Sequence, residues 1–510
     1  MAEQLYDRVP YDTHAFPLTH PRNLAAVARL RGLSPADTAN CRVLELGCAA
    51  GGNLIPLAFH QPDSYFIGID YSREQIRTAC EMTEELGLSN IEFHCMDLLD
   101  FDTRPGHFDY IISHGVYSWA PPAVQDKILE IFSSSLTDNG IAFVNYLTFP
   151  GAHLTRITRE IMRYKTHHIS DIDERLKQSR HKLQQLVEIL PAQKDPYLTI
   201  LKHLTMNIVG KSDSYLLHDD LGEIYEPLYF HEFVSRAHDH HLQYVGDAEF
   251  ISKKMSAYPV EAMEKLMSMS DDIIDLEQHA DFLSHPLARC SLLCKQSAAL
   301  DRDFLAGNMN DLYLTSFSRP VSTAEGLRAF RNIWGGTFYD PDPLFQQAVQ
   351  ILIDCYPEAI TCKELLNHPC ESKPALAMKL LNARSQSIIS ITVDKPCFHT
   401  TIDRKPAVSA LTRLQARVGS EATSLWHENI GLDGISRILM PYLDGRHDRG
   451  EILKKMISHY EAGDLTLDMT SREQDILAAL STAVEQRLGF LARSGLLVSS
   501  DHQAAAVNTP

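Results

Sequence analysis

The chain has 510 residues, of which 44% are hydrophobic and 22% charged, a composition typical of a globular protein with about two to four domains. Its formal net charge of −19 argues against a non-specific grip on nucleic acid, which requires basic side chains to neutralise phosphates. No apolar run reaches the length of about 18 residues that a membrane span requires, and the N-terminus has no signal-peptide pattern. The ten cysteines form no CxxC pair, which favours a reduced, cytoplasmic protein without a metal site.

The stretch VLELGCAAGGNLIPLAFHQPDSYFIGIDYS, residues 43–72, predicts strand, glycine turn, helix and strand. Its first four residues suit a buried parallel strand. The small residues at 47–53 let a ligand approach main-chain amides. Asp70 ends the second strand about 20 residues after the glycines, where a carboxylate can accept hydrogen bonds from two ribose hydroxyls.

Glu45 indicates which ligand binds at the turn. Its carboxylate, two residues before the first glycine, would repel a pyrophosphate but would attract a cationic amino-acid cofactor. The pattern therefore favours S-adenosylmethionine, with its sulfonium and α-ammonium groups, over NAD. We expect the turn and the neighbouring strand ends to supply the cofactor contacts, which are Glu45, Gly47, Ala49, Gly51, Asn53, Asp70, Tyr71, Asp97, Leu98 and His114. Asn53 could instead cap the following helix.

The next segments continue the same sheet. A helix is predicted from Arg73 to Leu86, and further strands are predicted at 91–95, 108–113 and 140–146. Asp97 and Leu98 follow the third strand, where an acid can accept from an adenine amino group. The loop 114–119 follows the fourth strand, at the carboxyl edge where ligands bind in doubly wound sheets.

These motifs resemble the class I S-adenosylmethionine-dependent methyltransferases over residues 41–147. The resemblance extends over nearly the whole chain, to bacterial methyltransferases that carry a methyltransferase regulatory domain and include the outer-membrane-protein lysine methyltransferases. The stretches that carry it are YDRVPY (6–11), FPLTHP (16–21), DYIISHGVYSWAP (109–121), SDSYLLHDDL (212–221), YEPLYFHEF (225–233) and MPYLDGRHDRGEIL (440–453). This chain reads NYLTFPGAH where family members often have SYNTYPGW, so its acceptor could differ.

The resemblance implies transfer of a methyl group from S-adenosylmethionine to lysine side chains of a protein, such as an envelope protein, without a metal. Two alternatives stay open: a small-molecule N- or O-methyltransferase, and a non-catalytic scaffold that binds the cofactor. We expect Tyr117, Trp119 and Tyr146 to form an aromatic channel for a lysine stem. His114 could reach the methyl group or pack against the adenosine. Ordinary rim aromatics would explain the three rings equally well.

The N-terminal segment is expected to close over the cofactor through Tyr11, Phe16 and His20, since such segments do so in many class I enzymes. His218, Asp219 and His231 have no metal-ligand spacing. They are expected to be surface or capping residues.

The fold class predicted is α/β, with a Rossmann-like seven-stranded class I methyltransferase core, a helical insertion and two winged-helix-like domains after it. The core covers residues 1–300, and the insertion, at about 151–225, would serve as lid and acceptor platform. A helix at 231–240 and strands at 242–247 and 289–295 complete the core.

The two winged-helix-like domains are predicted at 301–415 and 416–500, with a disordered tail at 501–510. In the first, three helices precede two strands, at 388–393 and 398–402. In the second, helices at 434–443, 449–460 and 472–494 precede a short strand at 496–498. Neither domain is notably basic, so docking of a protein substrate is favoured over DNA binding, and formation of a homodimer would also explain them.

Overall fold

The protein is described here by a computed structural model that covers residues 6–102, 108–189, 195–250, 260–302, 306–332, 335–366, 373–395, 399–466 and 476–499. The predicted tail at 501–510 lies outside the described residues.

A seven-stranded sheet forms the centre of the catalytic part, with the strand order β3-β2-β1-β4-β5-β7-β6. Strands β1 to β5 are parallel, and β7 runs antiparallel between β5 and β6. Each predicted strand of the core is confirmed. The bounds are Arg42–Leu46 (β1), Tyr65–Asp70 (β2), Ile91–Cys95 (β3), Phe108–Ser113 (β4), Leu136–Leu147 (β5), Leu242–Asp247 (β6) and Ala288–Lys295 (β7).

Helices cover both faces of the sheet and form the insertion. In chain order they are Pro21–Leu30 (α1), Leu54–His60 (α2), Arg73–Leu86 (α3), Pro122–Ser135 (α4), Gly151–Thr166 (α5), Ile172–Ile189 (α6), Pro196–Val209 (α7), Asp213–Tyr215 (α8), Phe230–Asp239 (α9), Val260–Met269 (α10) and Ile273–Ser284 (α11). Helix α3 shows how the sequence sets these bounds. Ser72 accepts a hydrogen bond from the amide of Gln75 at the start, and Gly87 ends the helix at a φ of +66°, the usual N-cap and C-cap chemistry.

The insertion begins after β5. Its two ends are joined by a β-bridge between Thr148 and Leu228. Helices α5 to α8 and a π-helical turn at Leu216–Asp220 lie between these residues. A separate apolar cluster holds them together and includes Met162, Leu176, Leu183 and Ile208. The first part of the predicted helical insertion, to residue 189, consists of α5 and α6.

A buried cation stabilises the far end of the sheet. The Arg289 side chain, 3% exposed, lies within 3.0 Å of carboxylates from Asp247, Glu277 and Asp281. Its guanidinium also lies 3.9 Å from the centre of the Phe230 ring. The cluster joins β6 and β7 to helices α9 and α11.

The middle unit differs from the predicted order of its strands. The three predicted helices are present, and their bounds are Pro343–Cys355 (α12), Cys362–Leu366 (α13) and Lys373–Ser385 (α14). Residues 399–402 form no strand, so the predicted second strand of the wing is wrong there, and its residue 398 lies outside the described residues. Strand β13 (Ser390–Thr392) pairs instead with β8 (Tyr313–Thr315). Strand β8 precedes the three helices in the chain and takes the place of the predicted second wing strand.

Two further strand groupings complete the middle unit. Strand β12 (Ile360–Thr361) also pairs with β8. A three-stranded sheet made of Arg319–Ser322 (β9), Arg328–Arg331 (β10) and Thr337–Phe338 (β11) was not predicted, since its strands are very short.

The C-terminal unit contains helices Ala410–Val418 (α15), Gly434–Leu439 (α16), Arg449–Ala462 (α17) and Ile476–Arg493 (α18). Strand β14 (Ala407–Val408) pairs with β17 (Leu497–Val498). A hairpin of β15 (Glu421–Thr423) and β16 (Asn429–Gly431) precedes α16 and was not predicted. The domain boundary predicted at 415/416 lies inside α15. No helix in the described parts of the chain has the length and apolarity needed to cross a membrane.

Candidate functional site

A cavity of about 420 Å³ lies at the carboxyl ends of the first four strands. Most of the residues predicted to contact the cofactor line it, together with one of the predicted aromatic residues. They are Tyr11, Glu45, Gly47, Ala49, Asn53, Asp70, Tyr71, Asp97, Leu98, His114 and Trp119. The exceptions are Gly51, His20, Tyr117 and Tyr146.

The glycine turn folds back on the end of β2. The amides of Gly47 and Cys48 both donate to the carbonyl of Ile69, at 2.8 and 3.0 Å. Gly47 has a φ of +78°, and a Cβ added there would lie 2.3 Å from Val116, so a larger residue would obstruct the floor of the cavity. Gly51 packs instead against the ring of Phe93 and does not line the cavity.

Asp70 is held by main-chain donors on both sides. Its carboxylate accepts from the amide of Ala49 at 2.8 Å and from that of Ser72 at 2.9 Å. Burial raises the pKa of Asp70, and these hydrogen bonds partly offset that rise. The carboxylate therefore has a fixed direction at the cavity wall, as a ligand for vicinal hydroxyls requires.

The opposite end of the cavity is suited to a flat aromatic ligand. Leu98 and Leu99 follow β3, and Val124 of α4 faces the same cavity. Asp97 accepts from the amide of Leu99 at 3.0 Å, which fixes the turn. Trp119 also lines the cavity.

Glu45 and Asn53 form the most buried polar pair of the site, each 3% exposed. Asn53 donates from Nδ2 to Glu45 Oε1 at 2.8 Å, whereas Glu45 Oε2 has no hydrogen-bond partner among the described residues. Burial raises the pKa of Glu45 to about 8, although the hydrogen bond from Asn53 lowers it. A buried carboxylate oxygen without a partner is costly, so this atom identifies where a cationic ligand group fits.

His114 is partly buried, and its ring centre lies 3.8 Å from that of Phe16. Burial lowers the pKa of His114 to about 4, so the imidazole is neutral at pH 7. The ring can accept a hydrogen bond at its unprotonated nitrogen, and Phe16 lies against it.

Tyr117 and Tyr146 do not form the predicted aromatic channel. Both side chains are fully buried and pack on Phe233 of α9, with ring centres 5.4 and 4.0 Å away. The Tyr146 hydroxyl lies 3.2 Å from Ser291 on β7. Both rings are therefore part of the core and not of the cavity. The prediction failed because the position of a residue at the edge of a sheet does not decide which face its side chain occupies.

A segment at residues 11–16, called the strap here, covers the glycine turn. All of its residues except Ala15 line the cavity. The amide of Gly52 donates to Thr13 Oγ1 at 2.8 Å, and a Cβ at Gly52 would lie within 2.9 Å of the Thr13 and His14 main chain. His20 lies beyond the strap, where its ring caps α1 by accepting from the amide of Arg22.

Tyr6, His218 and Asp219 are among the cavity residues that were missed from the sequence. His218 is 4% exposed and stacks on Tyr6 at 4.2 Å, so it is neither a surface nor a capping residue. Tyr11 donates to Asp219 at 3.3 Å. Burial raises the pKa of Asp219 to about 6. Resemblance of YDRVPY and SDSYLLHDDL to the regulatory-domain methyltransferases was the only sequence signal for this contact.

The charges around the cavity are of one sign. Five carboxylates line it, from Asp12, Glu45, Asp70, Asp97 and Asp219, and no lysine or arginine of the described residues does. Such a cavity attracts cationic groups and disfavours phosphates. S-adenosylmethionine fits this donor set better than a dinucleotide.

Three family models match parts of the chain. Residues 37–207 match a methyltransferase domain, and residues 212–295 match a predicted methyltransferase regulatory domain. Residues 404–496 match the C-terminal winged helix domain of PKMT. The last two matches cover the strand β6 to β7 region and the hairpin that carries β15 and β16.

Similar proteins extend the match to nearly the full chain. A Rickettsia prowazekii protein is 33% identical over 488 residues, which cover 91% of this chain and 87% of the relative. The structure of PKMT2 from Rickettsia typhi covers 96% of this chain and 100% of its own, with 29% identity and a TM-score of 0.81. The same protein in complex with AdoHcy gives a TM-score of 0.82.

Proposed function

Because the chain belongs to the class I S-adenosylmethionine-dependent methyltransferases that carry a methyltransferase regulatory domain and a C-terminal winged helix domain, we propose that it methylates lysine side chains of a protein. S-adenosylmethionine is its methyl donor. The observation that supports the acceptor class most directly is the acidic cavity without a basic side chain among its described lining residues. A lysine ammonium group matches that potential.

The cofactor end of the cavity has a residue for each part of S-adenosylmethionine. Glu45 Oε2 would hold the α-ammonium group, and Asp70 would hold the ribose hydroxyls. Asp97 and Leu98 would hold the adenine. The cofactor supplies an electrophilic methyl group on a sulfonium. Because His114 is neutral at pH 7 and Glu45 is an acid, neither side chain would repel the positive charge of the sulfonium.

The acceptor nitrogen must be neutral before it can attack. Asp219 is the candidate base, since burial raises the pKa of its carboxyl to about 6 and the group faces the cavity. The ammonium proton would move to the Asp219 carboxylate, and the neutral amine would then be the nucleophile for the electrophilic methyl group that S-adenosylmethionine supplies. Tyr11, which donates to Asp219, orients the carboxylate. In-line placement and exclusion of water supply most of the rate increase.

The accessory units favour a macromolecular acceptor over a small one. They add about 200 residues beyond the core, and a net charge of −19 argues against a nucleic acid. The regulatory domain contributes Asp219 to the cavity. An envelope protein as acceptor, a homodimer and a cytoplasmic location stay predictions.

The test is transfer of isotope-labelled methyl groups from S-adenosylmethionine to bacterial proteins, followed by mass spectrometry of the labelled peptides. Methyl-lysine in protein, lost in Asp70→Ala, is the expected result. Label found only in small molecules would contradict the proposal and favour a small-molecule methyltransferase. Cofactor binding without any transfer would favour the scaffold.

A further inference from the structure

A loop of the C-terminal unit reaches the cofactor site. His427, in the loop between β15 and β16, is 3% exposed, and its Nε2 lies 2.8 Å from Oδ1 of Asn53. The two residues are separated by 374 positions in the chain. Asn53 in turn donates to Glu45. The Asn53 side chain therefore links His427 to the carboxylate of Glu45.

The direction of this hydrogen bond can be assigned. The amide of Phe16 donates to Asn53 Oδ1 at 3.0 Å, and a main-chain amide only donates. The atom facing His427 is therefore the carbonyl oxygen of Asn53, so His427 must donate from Nε2. Burial lowers the pKa of His427 to about 3, so its ring is the neutral Nε2–H tautomer at pH 7.

The same arrangement fixes the Glu45 carboxylate. With its oxygen held by His427 and Phe16, Asn53 can present only its amino group to Glu45. That hydrogen bond occupies Oε1 and leaves Oε2, which has no partner among the described residues, as the oxygen available to a ligand in the cavity that Glu45 lines. A rotation of the Asn53 amide would place an oxygen against the carboxylate and lose the orientation.

The hairpin also holds the strap. Asn429 accepts from the amide of Ala15 at 3.1 Å and donates to its carbonyl at 2.8 Å. Glu421 lies 3.1 Å from His14 Nδ1. Thr13 on the opposite side accepts from Gly52. The strap therefore lies between the glycine turn and the hairpin, in contact with both.

We propose that the β15–β16 hairpin completes the S-adenosylmethionine site, with His427 and Asn429 as positioning residues that fix Glu45 and the strap. His427 acts through Asn53 on the end of the site that takes the amino-acid part of the cofactor. Asn429 acts through the strap on the whole cavity. The C-terminal winged helix is then part of cofactor binding as well as an accessory unit.

Two substitutions with the same amide group test the role of His427. His427→Gln can place its amide nitrogen near the position of Nε2, whereas His427→Asn is one methylene shorter and cannot reach Asn53. His427 has a φ of +62°, which asparagine tolerates better than glutamine. If backbone strain alone decided the affinity, His427→Gln would bind the cofactor more weakly than His427→Asn. The proposal predicts the opposite order.

Calorimetry on the full chain would compare S-adenosylhomocysteine with 5′-methylthioadenosine, which lacks the amino-acid part. We expect His427→Asn to lower the affinity for S-adenosylhomocysteine about tenfold, which corresponds to the loss of roughly one positioned hydrogen bond. The affinity for methylthioadenosine should fall less than about twofold. His427→Gln should stay within about threefold of the unmodified protein for both. Val418→Ala, at an exposed position of α15, is the matched control and should change neither.

Equal weakening of both ligands by His427→Asn would mean a general structural role and would overturn the proposal for His427, as would unchanged binding. Asn429→Ala tests the strap while keeping the side chain of His427 and its hydrogen bond to Asn53. It should weaken both ligands about fivefold through loss of two hydrogen bonds to Ala15. Unchanged binding in a folded Asn429→Ala would overturn the proposal for the strap, whatever the behaviour of the His427 variants.

Discussion

Glu45 and Asn53 are joined by a single 2.8 Å hydrogen bond, and the other Glu45 oxygen has no hydrogen-bond partner among the described residues. Binding and stability should therefore depend on Glu45 in opposite ways. The carboxylate serves a cationic ligand, but without that ligand it is a buried group with little compensation.

The stability of the unliganded protein should show this cost. Burial raises the pKa of Glu45 to about 8 from the ordinary glutamate value of 4.5. Between these pH values the folded state binds more protons than the unfolded state, so its stability decreases as the pH rises through the window. Glu45→Gln should therefore have the higher free energy of unfolding at about pH 8.5 and an almost equal one at about pH 5. Urea denaturation at the two pH values checks this, and a Gln variant that is less stable at both would contradict it.

The affinity for S-adenosylmethionine should show the benefit. Ionised Glu45 attracts the ammonium group, so affinity should rise between about pH 6 and pH 8 as the carboxyl loses its proton. Glu45→Gln should lower the affinity by about 10- to 100-fold at pH 8 and flatten this rise. Calorimetric titrations across the pH range, with the Gln variant as reference, measure both effects. A parallel pH profile in the two proteins would rule out Glu45 as the titrating group.

Asp70 should act on a different part of the ligand. Asp70→Asn is expected to weaken S-adenosylhomocysteine and 5′-methylthioadenosine by similar factors of about tenfold or more, since both carry the ribose. Glu45→Gln should separate the two ligands instead. Fluorescence or calorimetric titration of both variants provides the comparison. Equal selectivity in the two variants would disprove the assignment of these carboxylates to different ends of the cofactor.

Gly52 should be intolerant of a side chain. A Cβ there would lie 2.4 Å from Thr13 Oγ1 and within 2.9 Å of main-chain atoms of the strap. Gly52→Ala should therefore displace the strap, weaken cofactor binding and make residues 11–16 more sensitive to proteolysis. Thr13→Ala should not rescue it, because the main-chain contacts are still there. Full rescue would show that the side chain alone is the obstacle.

The Arg289 cluster allows a prediction about stability outside the site. Arg289→Met would leave the carboxylates of Asp247, Glu277 and Asp281 facing each other without their cation. The loss should be about 3–5 kcal/mol in free energy of unfolding. Arg156→Met, which removes an exposed ion pair with Glu160 on α5, is the control and should have little effect. Chemical denaturation of both variants measures the difference.

The sequence was sufficient where the signal is local. Helix α3 and strands β3 and β4 have their predicted bounds, since hydrophobic period, an N-cap serine and a C-terminal glycine all lie within a short stretch. Glu45 and Asp70 were placed at the site because a strand end and a glycine turn specify their neighbourhood. The cofactor was inferred from the charge of Glu45.

Non-local contacts could not be predicted in this way. The sequence contains no signal that His427 meets Asn53, and β8 replaces the expected wing strand through a pairing that no short window shows. Tyr117 and Tyr146 were placed at the correct end of the sheet, but their rings point into the core. Tyr117 lies in a short 3-10 helix after β4 and Tyr146 lies in β5, and both rings pack on Phe233 of α9.

The contact between the strap and the hairpin also sets an order of events during synthesis. Asn429 follows Ala15 by 414 residues, which a ribosome translating about 5–20 residues per second takes roughly 20 to 80 s to add. Through that interval the nascent glycine turn and strap lack the loop that holds them. We therefore expect chains that end before residue 429 to bind S-adenosylmethionine more weakly than the full chain does.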